Sequence, residues 1–305
     1  MTTFIKSTEI WEPNKEKTEL TLVKGLYGSF TEFEKYSQTI SFKYDEGLPG
    51  KAWAAKHPII LKELEGSYFQ RTEMAKKIGL TTAIAMPIFT GEYLQAVVLF
   101  LCGDINEHAG AIELWKKEED RSNEMGLVDG YYGTMEKFEW LSNRIKIMKG
   151  HGLPGAVWES HMPLVIKNLS ESGTFMRATK AANEGITTAL ALPAWMYEED
   201  AYVMTFLSAK GTPIARRFEV WVPVVSDDTL LFHDGYCEEG TDLFALYTER
   251  TRGKYTSLTG KSWKTGLPIL TECHEPDDGD ITFTGSLILP IIQNGFCKAV
   301  VELYF

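Results

Sequence analysis

Short runs dominated by apolar, β-branched and aromatic residues recur along the chain at 81–88, 93–101, 112–116 and 218–225, and read as strands. Three segments, MPIFTGEYLQAVVLFL, LPAWMYEEDAYVMTFL and LPIIQNGFCKAVVELYF, each set a short polar turn between two such runs. That is the pattern of a hairpin and therefore of an antiparallel sheet. Helical spacing lies between the strands. Arg71, Met74, Ala75 and Ile78 share one face, Ser67 stands ahead as a cap, Lys76 and Lys77 fall in the last turn and Gly79 supplies a left-handed stop, so a helix is predicted over 67–79. A counterpart runs over 175–185. A second amphipathic stretch covers 29–40, with Ser29 and Glu32 at capping-box spacing, and has counterparts at 134–145 and 241–250. Strands with interposed helices give an α+β architecture.

The pattern repeats. GLPGKAW, GLPGAVW and SLTGKSW end at Trp53, Trp158 and Trp263, each 105 residues from the next. Gly25, Gly130 and Gly235 keep the same interval, as do Pro58, Pro163 and Pro268, and Trp11, Trp115 and Trp221 mark the start of each unit. Turn-forming residues near Cys102-Gly103-Asp104 and Lys210-Gly211-Thr212-Pro213 divide the chain into units 1–104, 105–211 and 212–305. The third is degenerate: 34 residues separate Trp53 from Pro87 and 35 separate Trp158 from Pro193, but only 27 separate Trp263 from Pro290, which leaves no room for the helix between them.

The motif GLPG-x-x-W-x-x-x-x-P, followed by a strand, a helix carrying F-x-R, the segment G-[LI]-x-[ST]-A-[LI]-A-[ML]-P and a closing hairpin, resembles the GAF domain. The specific part of the match is 47–101 and 152–207. The resemblance implies three tandem modules, each a central antiparallel sheet with helices mainly on one face that enclose a small-molecule pocket. Domains of this family bind cyclic nucleotides, tetrapyrroles, haem or small metabolites, or bind nothing and dimerise. The long helices that usually flank such a sheet have no room here, because about ten residues separate Leu101 from Ile112 and Leu207 from Phe218. Runs such as Val97-Val98-Leu99-Phe100-Leu101 are apolar on both sides. The three copies are therefore expected to cover one another's sheet backs, or to meet a second chain there.

The resemblance to a pocket lid makes Tyr68, Phe69, Arg71 and Met74, with Phe175, Met176 and Arg177 in the second copy, the candidate ligand-binding residues, an Arg there being suited to a carboxylate or phosphate. The opposing reading is that the Phe residues are core and that the Arg residues are solvated or pair with a local acid. The family's chromophore cysteine falls at Gln70 and Met176, so a covalent bilin is disfavoured even though Cys273-His274 is present. TECHEPDDGD has no zinc or EF-hand spacing and reads as a solvated acidic loop; no metal is expected. The tryptophans and glycines of GLPG-x-x-W read as core packing and turn geometry, since the segment lacks a phosphate-cradling pattern.

The charge is −11, from 31 basic and 42 acidic residues, with no Lys/Arg-rich run, which argues against nucleic acid and anionic membrane partners. The longest nearly apolar run, 94–102, is far short of the ~20 residues of a transmembrane helix. MTTFIKSTEIWEP carries no secretory pattern, so a cytoplasmic protein is expected. Cys102, Cys237, Cys273 and Cys297 form no CxxC pair and do not repeat, which counts against a GAF-like thiol reductase, and no nucleophile constellation emerges from the six histidines. The sequence thus points to a non-catalytic, small-molecule-sensing regulatory protein whose partners are a small-molecule ligand and either a separate protein effector or further copies of itself in a homo-oligomer. The alternative is a structural scaffold whose pockets are filled by their own aromatics, Tyr27, Tyr131, Tyr132 and Tyr236.

Overall fold

A computed structural model describes residues 3–103, 109–119, 123–197, 200–272 and 281–305. The first module contains β1 (Ile5–Pro13), β2 (Glu19–Leu26), α1 (Thr31–Ser37), β3 (Ser41–Lys43), α2 (Gly47–Ala55), β4 (Ile59–Lys62), α3 (Thr72–Lys77), β5 (Leu80–Thr90) and β6 (Tyr93–Gly103). The second contains β7 (Ala109–Lys117), β8 (Glu124–Gly133), α4 (Glu136–Ser142), β9 (Lys146–Met148), α5 (Gly152–Ser160), β10 (Leu164–Ile166), α6 (Ala178–Asn183), β11 (Ile186–Tyr197) and β12 (Asp200–Ala209). The third contains β13 (Arg217–Val224), β14 (Thr229–Cys237), α7 (Leu243–Tyr247), β15 (Thr251–Gly253), α8 (Leu258–Thr265), β16 (Ile269–Glu272), β17 (Gly285–Gln293) and β18 (Phe296–Tyr304).

Each module forms a six-stranded antiparallel sheet of the same strand order, β3-β2-β1-β6-β5-β4 in the first and its counterparts in the others. The closing hairpins read in the sequence are present, the third turning through Asn294 and Gly295, both at positive φ as a two-residue primed turn requires. The shared motif has one structural reason in all three copies. A Cβ on Gly50, Gly155 or Gly260 would stand 2.0, 2.0 and 2.1 Å from the carbonyl oxygen of Lys43, Met148 and Gly253, so only glycine lets the helix that follows lie against the short third strand.

The helices differ from their sequence reading. The 67–79 segment is helical only over α3, because Ser67 accepts a hydrogen bond from the Phe69 N–H and closes a turn there instead of capping a helix. The Ser29–Glu32 box is not formed: α1 begins after Phe30 without a side-chain cap. Gly79 and Gly185 do supply the expected left-handed stops, at φ 74° and 77°.

The central strands of every sheet are buried on both faces. On β6, Val97, Leu99 and Leu101 join the core of the first module, while Val98, Phe100 and Cys102 face the other way, into a central core. That core also takes Leu190, Met204 and Phe206 from the second sheet and Val220, Leu289 and Val301 from the third. The sheet backs thus cover one another, as their two-sided apolar runs demand. The modules close a ring, with β4 against β8, β10 against β14, and β16 against β2.

Equivalent ion pairs mark the three edges, and one is reversed. Lys62 meets Asp129 at 2.8 Å and Lys167 meets Asp234 at 2.9 Å, but at the closing edge the acid and base exchange places, with Glu272 on β16 and Lys24 on β2 at 2.7 Å. Lys62 loses solvation on the edge, yet Asp129 and Glu139 outweigh that loss and hold its pKa above the ordinary lysine value. Glu272→Lys sets like charges at the closing edge. It is expected to cost about 0.2–1 kcal/mol, to be largely reversed by adding Lys24→Glu, and to fade with salt, as read from a urea-denaturation double-mutant cycle.

Candidate functional site

Strand alternation puts Glu9 and Trp11 of β1 on the same, inward face of the first module. A carboxylate there is removed from water and must find partners. Trp11 Nε1 donates to Glu9 Oε2 at 2.8 Å, and the Tyr27 hydroxyl donates to Oε1 at 2.9 Å. Gly25 makes room for the latter: a Cβ at that position would lie 2.2 Å from the Tyr27 ring. Arg71, just ahead of α3, completes the set. Its Nη2 donates to Glu9 Oε2 at 2.8 Å, and its Nη1 donates to Oε1 and, at 2.6 Å, to the Ser37 hydroxyl at the end of α1. Phe33, Phe69 and Trp11 surround the guanidinium, with ring centroids 4.7, 5.2 and 5.5 Å away. Arg71 and Glu9 are fully buried.

The second module repeats this. Arg177 Nη2 donates to Glu113 Oε2 at 2.8 Å, Tyr132 and Trp115 each donate to Glu113 at 3.0 Å, and Phe138, Phe175 and Trp115 surround the guanidinium. Thr205 adds a bond to Glu113 at 2.8 Å. Burial alone would raise the Glu113 pKa, but Arg177, Thr205 and Trp115 outweigh it and hold the carboxyl below its ordinary value of 4.5. The Tyr27 and Tyr132 phenols are pushed up by burial and by the adjacent carboxylates.

In the third module the carboxylate is kept and its partners are replaced. Trp221 Nε1 donates to Glu219 at 3.0 Å. Tyr247, on α7, donates to Glu219 at 2.8 Å, and the cations come from strands: Arg217 on β13 lies 2.7 Å from Glu219, and Arg252 on β15 bridges Glu219 at 3.0 Å and Glu302 at 2.8 Å. Here the Glu219 pKa is raised. Burial and the neighbouring Glu302 carboxylate prevail over Arg252 and Arg217.

The candidate lid residues therefore divide. Arg71 and Arg177 are paired to Glu9 and Glu113, and Phe69 and Phe175 are buried beside them. Met74 is half-buried against the first module's core. Tyr68 is exposed, with the Lys51 ammonium 5.2 Å from its ring centroid. Met176 is 62% exposed and borders an open groove of about 770 Å³ with Met148, Gly152, Leu164, Ile166 and Thr174. At the first module's matching position, Gln70 is bonded to Glu46 instead. Of the four aromatics named as pocket fillers, Tyr27 and Tyr132 do face module interiors, whereas Tyr131 belongs to the central core and Tyr236 packs against it. The position equivalent to Tyr27 is Cys237.

Glu9, Glu113 and Glu219 escaped the sequence reading. Their signal was available, since each stands two residues before the tryptophan that opens its unit and so on the same strand face. Cys273, His274 and most of TECHEPDDGD lie outside the described residues. Among the described residues, no group of three or more His, Cys, Asp or Glu could hold a metal ion. Nor, among the described residues, is any helix long and apolar enough to cross a membrane.

No family model matches the chain, and no curated protein matches it. Solved structures do. The A. Aeolicus nlh2 GAF domain in an inactive state is 22% identical at a TM-score of 0.27, over 32% of this chain and 58% of that one. The GAF domain of a phosphoenolpyruvate-protein phosphotransferase from Coxiella burnetii is 18% identical at 0.27, over 32% and 56%. The free methionine-R-sulfoxide reductase of Neisseria meningitidis is 13% identical at 0.26, over 32% and 52%. The chain thus spans little more than half the length of these proteins. Each of the three sheets, with its helices, is an α+β module of one topology, and the chain carries three in tandem.

Breaking a fully buried pair leaves an uncompensated charge, so Arg71→Met is expected to cost about 3–5 kcal/mol. Adding Glu9→Leu should recover much of that loss, as measured by chemical denaturation. The two carboxyl shifts have opposite consequences. Glu113, with its pKa lowered, contributes stability that is complete above 4.5 and lost as pH falls below it; Glu219, with its pKa raised, contributes stability that is complete below 4.5 and lost as pH climbs through its elevated value. Hydrogen exchange, corrected for intrinsic rates, should show β7 and β12 losing protection on acidification below 4.5 while β13 and β18 hold theirs better.

Proposed function

We propose that the chain is a non-catalytic regulatory protein whose three modules act as one rigid interaction platform for a separate protein effector, with module interiors occupied by their own side chains. The single observation that carries this reading is the commitment of Arg71 and Arg177, the two cations suited to an anionic ligand, to buried carboxylates. An incoming carboxylate or phosphate would have to displace Glu9 or Glu113 from an aromatic enclosure and leave it buried without its partner, which is unfavourable by several kcal/mol. For the cysteines among the described residues, thiol chemistry is disfavoured on similar grounds. Burial raises the pKa of Cys102, Cys237 and Cys297, the last to about 12, so the reactive thiolate is scarce at neutral pH.

A second reading, small-molecule sensing, has one specific observation in its favour: the open groove beside Met176. The two readings part in a simple experiment. Native mass spectrometry of the purified chain and thermal shifts across a library of nucleotides and anionic metabolites are expected to show no retained ligand and no stabilisation. A shift that disappears in Arg71→Met or Arg177→Met would overturn the platform reading, and one that disappears in Met176→Glu alone would favour sensing at the groove.

A further inference from the structure

At one end of the ring the hairpins β5–β6, β11–β12 and β17–β18 converge on a partly enclosed cavity of about 380 Å³. The geometry points to this cavity as a binding site for a small uncharged ring compound carrying one hydrogen-bonding group, with Gln293 as its polar anchor. The inference goes beyond the platform reading and does not rest on it.

Three equivalent prolines, Pro87, Pro193 and Pro290, supply stiff walls from the three modules, and the sheets behind them hold those walls in place. Phe89 and Trp195 meet edge to face at 5.3 Å between ring centroids and offer an aromatic surface. No charged side chain is among the described residues that line the cavity. A charged ligand would therefore lose its hydration without gaining a counter-ion, which selects for neutral compounds. The volume lies within the ~300–1,000 Å³ of small-molecule pockets.

Gln293 gives the site its direction. It lines the cavity, is 5% exposed, and its carboxamide has no hydrogen-bond partner among the described residues. An amide at the cavity wall with no such partner offers a ligand both a donor and an acceptor. The equivalent positions in the other modules, three residues after the proline, are Thr90 and Met196. The threefold repeat of the walls is thus broken by one amide, so that a ligand is held in a single orientation.

Indole, neutral and aromatic with one N–H donor, is the probe, titrated calorimetrically into the full chain, with indole-3-acetate as its anionic counterpart. Saturable binding at one site is expected for indole, with at least tenfold weaker binding of indole-3-acetate. Gln293→Leu should weaken indole binding about tenfold through loss of one buried hydrogen bond. Ile292→Trp, from a half-buried position on the cavity wall, should abolish it by filling the space, while circular dichroism confirms that both variants keep the fold. Absence of saturable indole binding, or binding equal in the parent and both variants, would overturn the proposal. Neither result would bear on the platform reading, which concerns Arg71, Arg177 and anionic ligands.

Discussion

A carboxylate placed on the inner face of the first strand of each module is the constraint around which the rest of the interior is arranged. Glu9, Glu113 and Glu219 are all fully buried, and none could remain ionised there without a cation and several donors. The indole two residues along the strand donates to the carboxylate in all three modules. In the first two modules the phenol comes from the next strand and the guanidinium from the segment over the pocket, which ties that segment to the sheet. The interior between sheet and helices in these two modules is consequently filled by an ion pair and its aromatic wall.

The second constraint is the two-sided burial of the sheets. Residues of one parity along β6 serve their own module and residues of the other parity serve the centre, so a one-residue slip in register would exchange two cores at once. Closure then depends on edges that are alike in shape, and charge distinguishes them. The first two edges place Lys at the end of the short fourth strand of one module and Asp on the second strand of the next, and the closing edge reverses this. A ring closed in the other order would set Glu272 against Asp129 and Lys167 against Lys24, leaving only Lys62 with an acid, Asp234. Each pair is exposed and contributes little on its own, so the reversal acts on the choice of partner more than on stability.

The repeat, the strands and the closing hairpins were legible because turn glycines and core tryptophans hold fixed positions that a single sequence displays. The helix over 67–79 was not, since its face pattern is real but the Ser67 hydroxyl satisfies the backbone locally in a turn, and α3 shrinks to what remains. The ion-pair networks were only half legible. Glu9 shares a strand face with Trp11, which marks it as inward, but its cation lies 62 residues away and nothing local announces the pairing. In the third module the difficulty is greater, because Arg252 occupies the repeat position held by Phe42 and Ile147, where an alignment of the copies would predict a core hydrophobe.

That substitution explains how the third copy came to differ. Once Arg217 and Arg252 reach Glu219 from β13 and β15, the carboxylate no longer needs a guanidinium from the segment between the fourth and fifth strands of the module. The shorter interval between Trp263 and Pro290 accordingly contains no arginine. The second cation has its own consequence. Arg252 also holds Glu302, which stands where the first two modules have Leu99 and Thr205, so each network keeps as many Arg as Glu residues: one of each in the first two modules and two of each in the third. Neutrality is therefore preserved while its source changes. The pKa directions follow from the same exchange, because a second buried carboxylate beside Glu219 raises what a lone guanidinium lowers at Glu113.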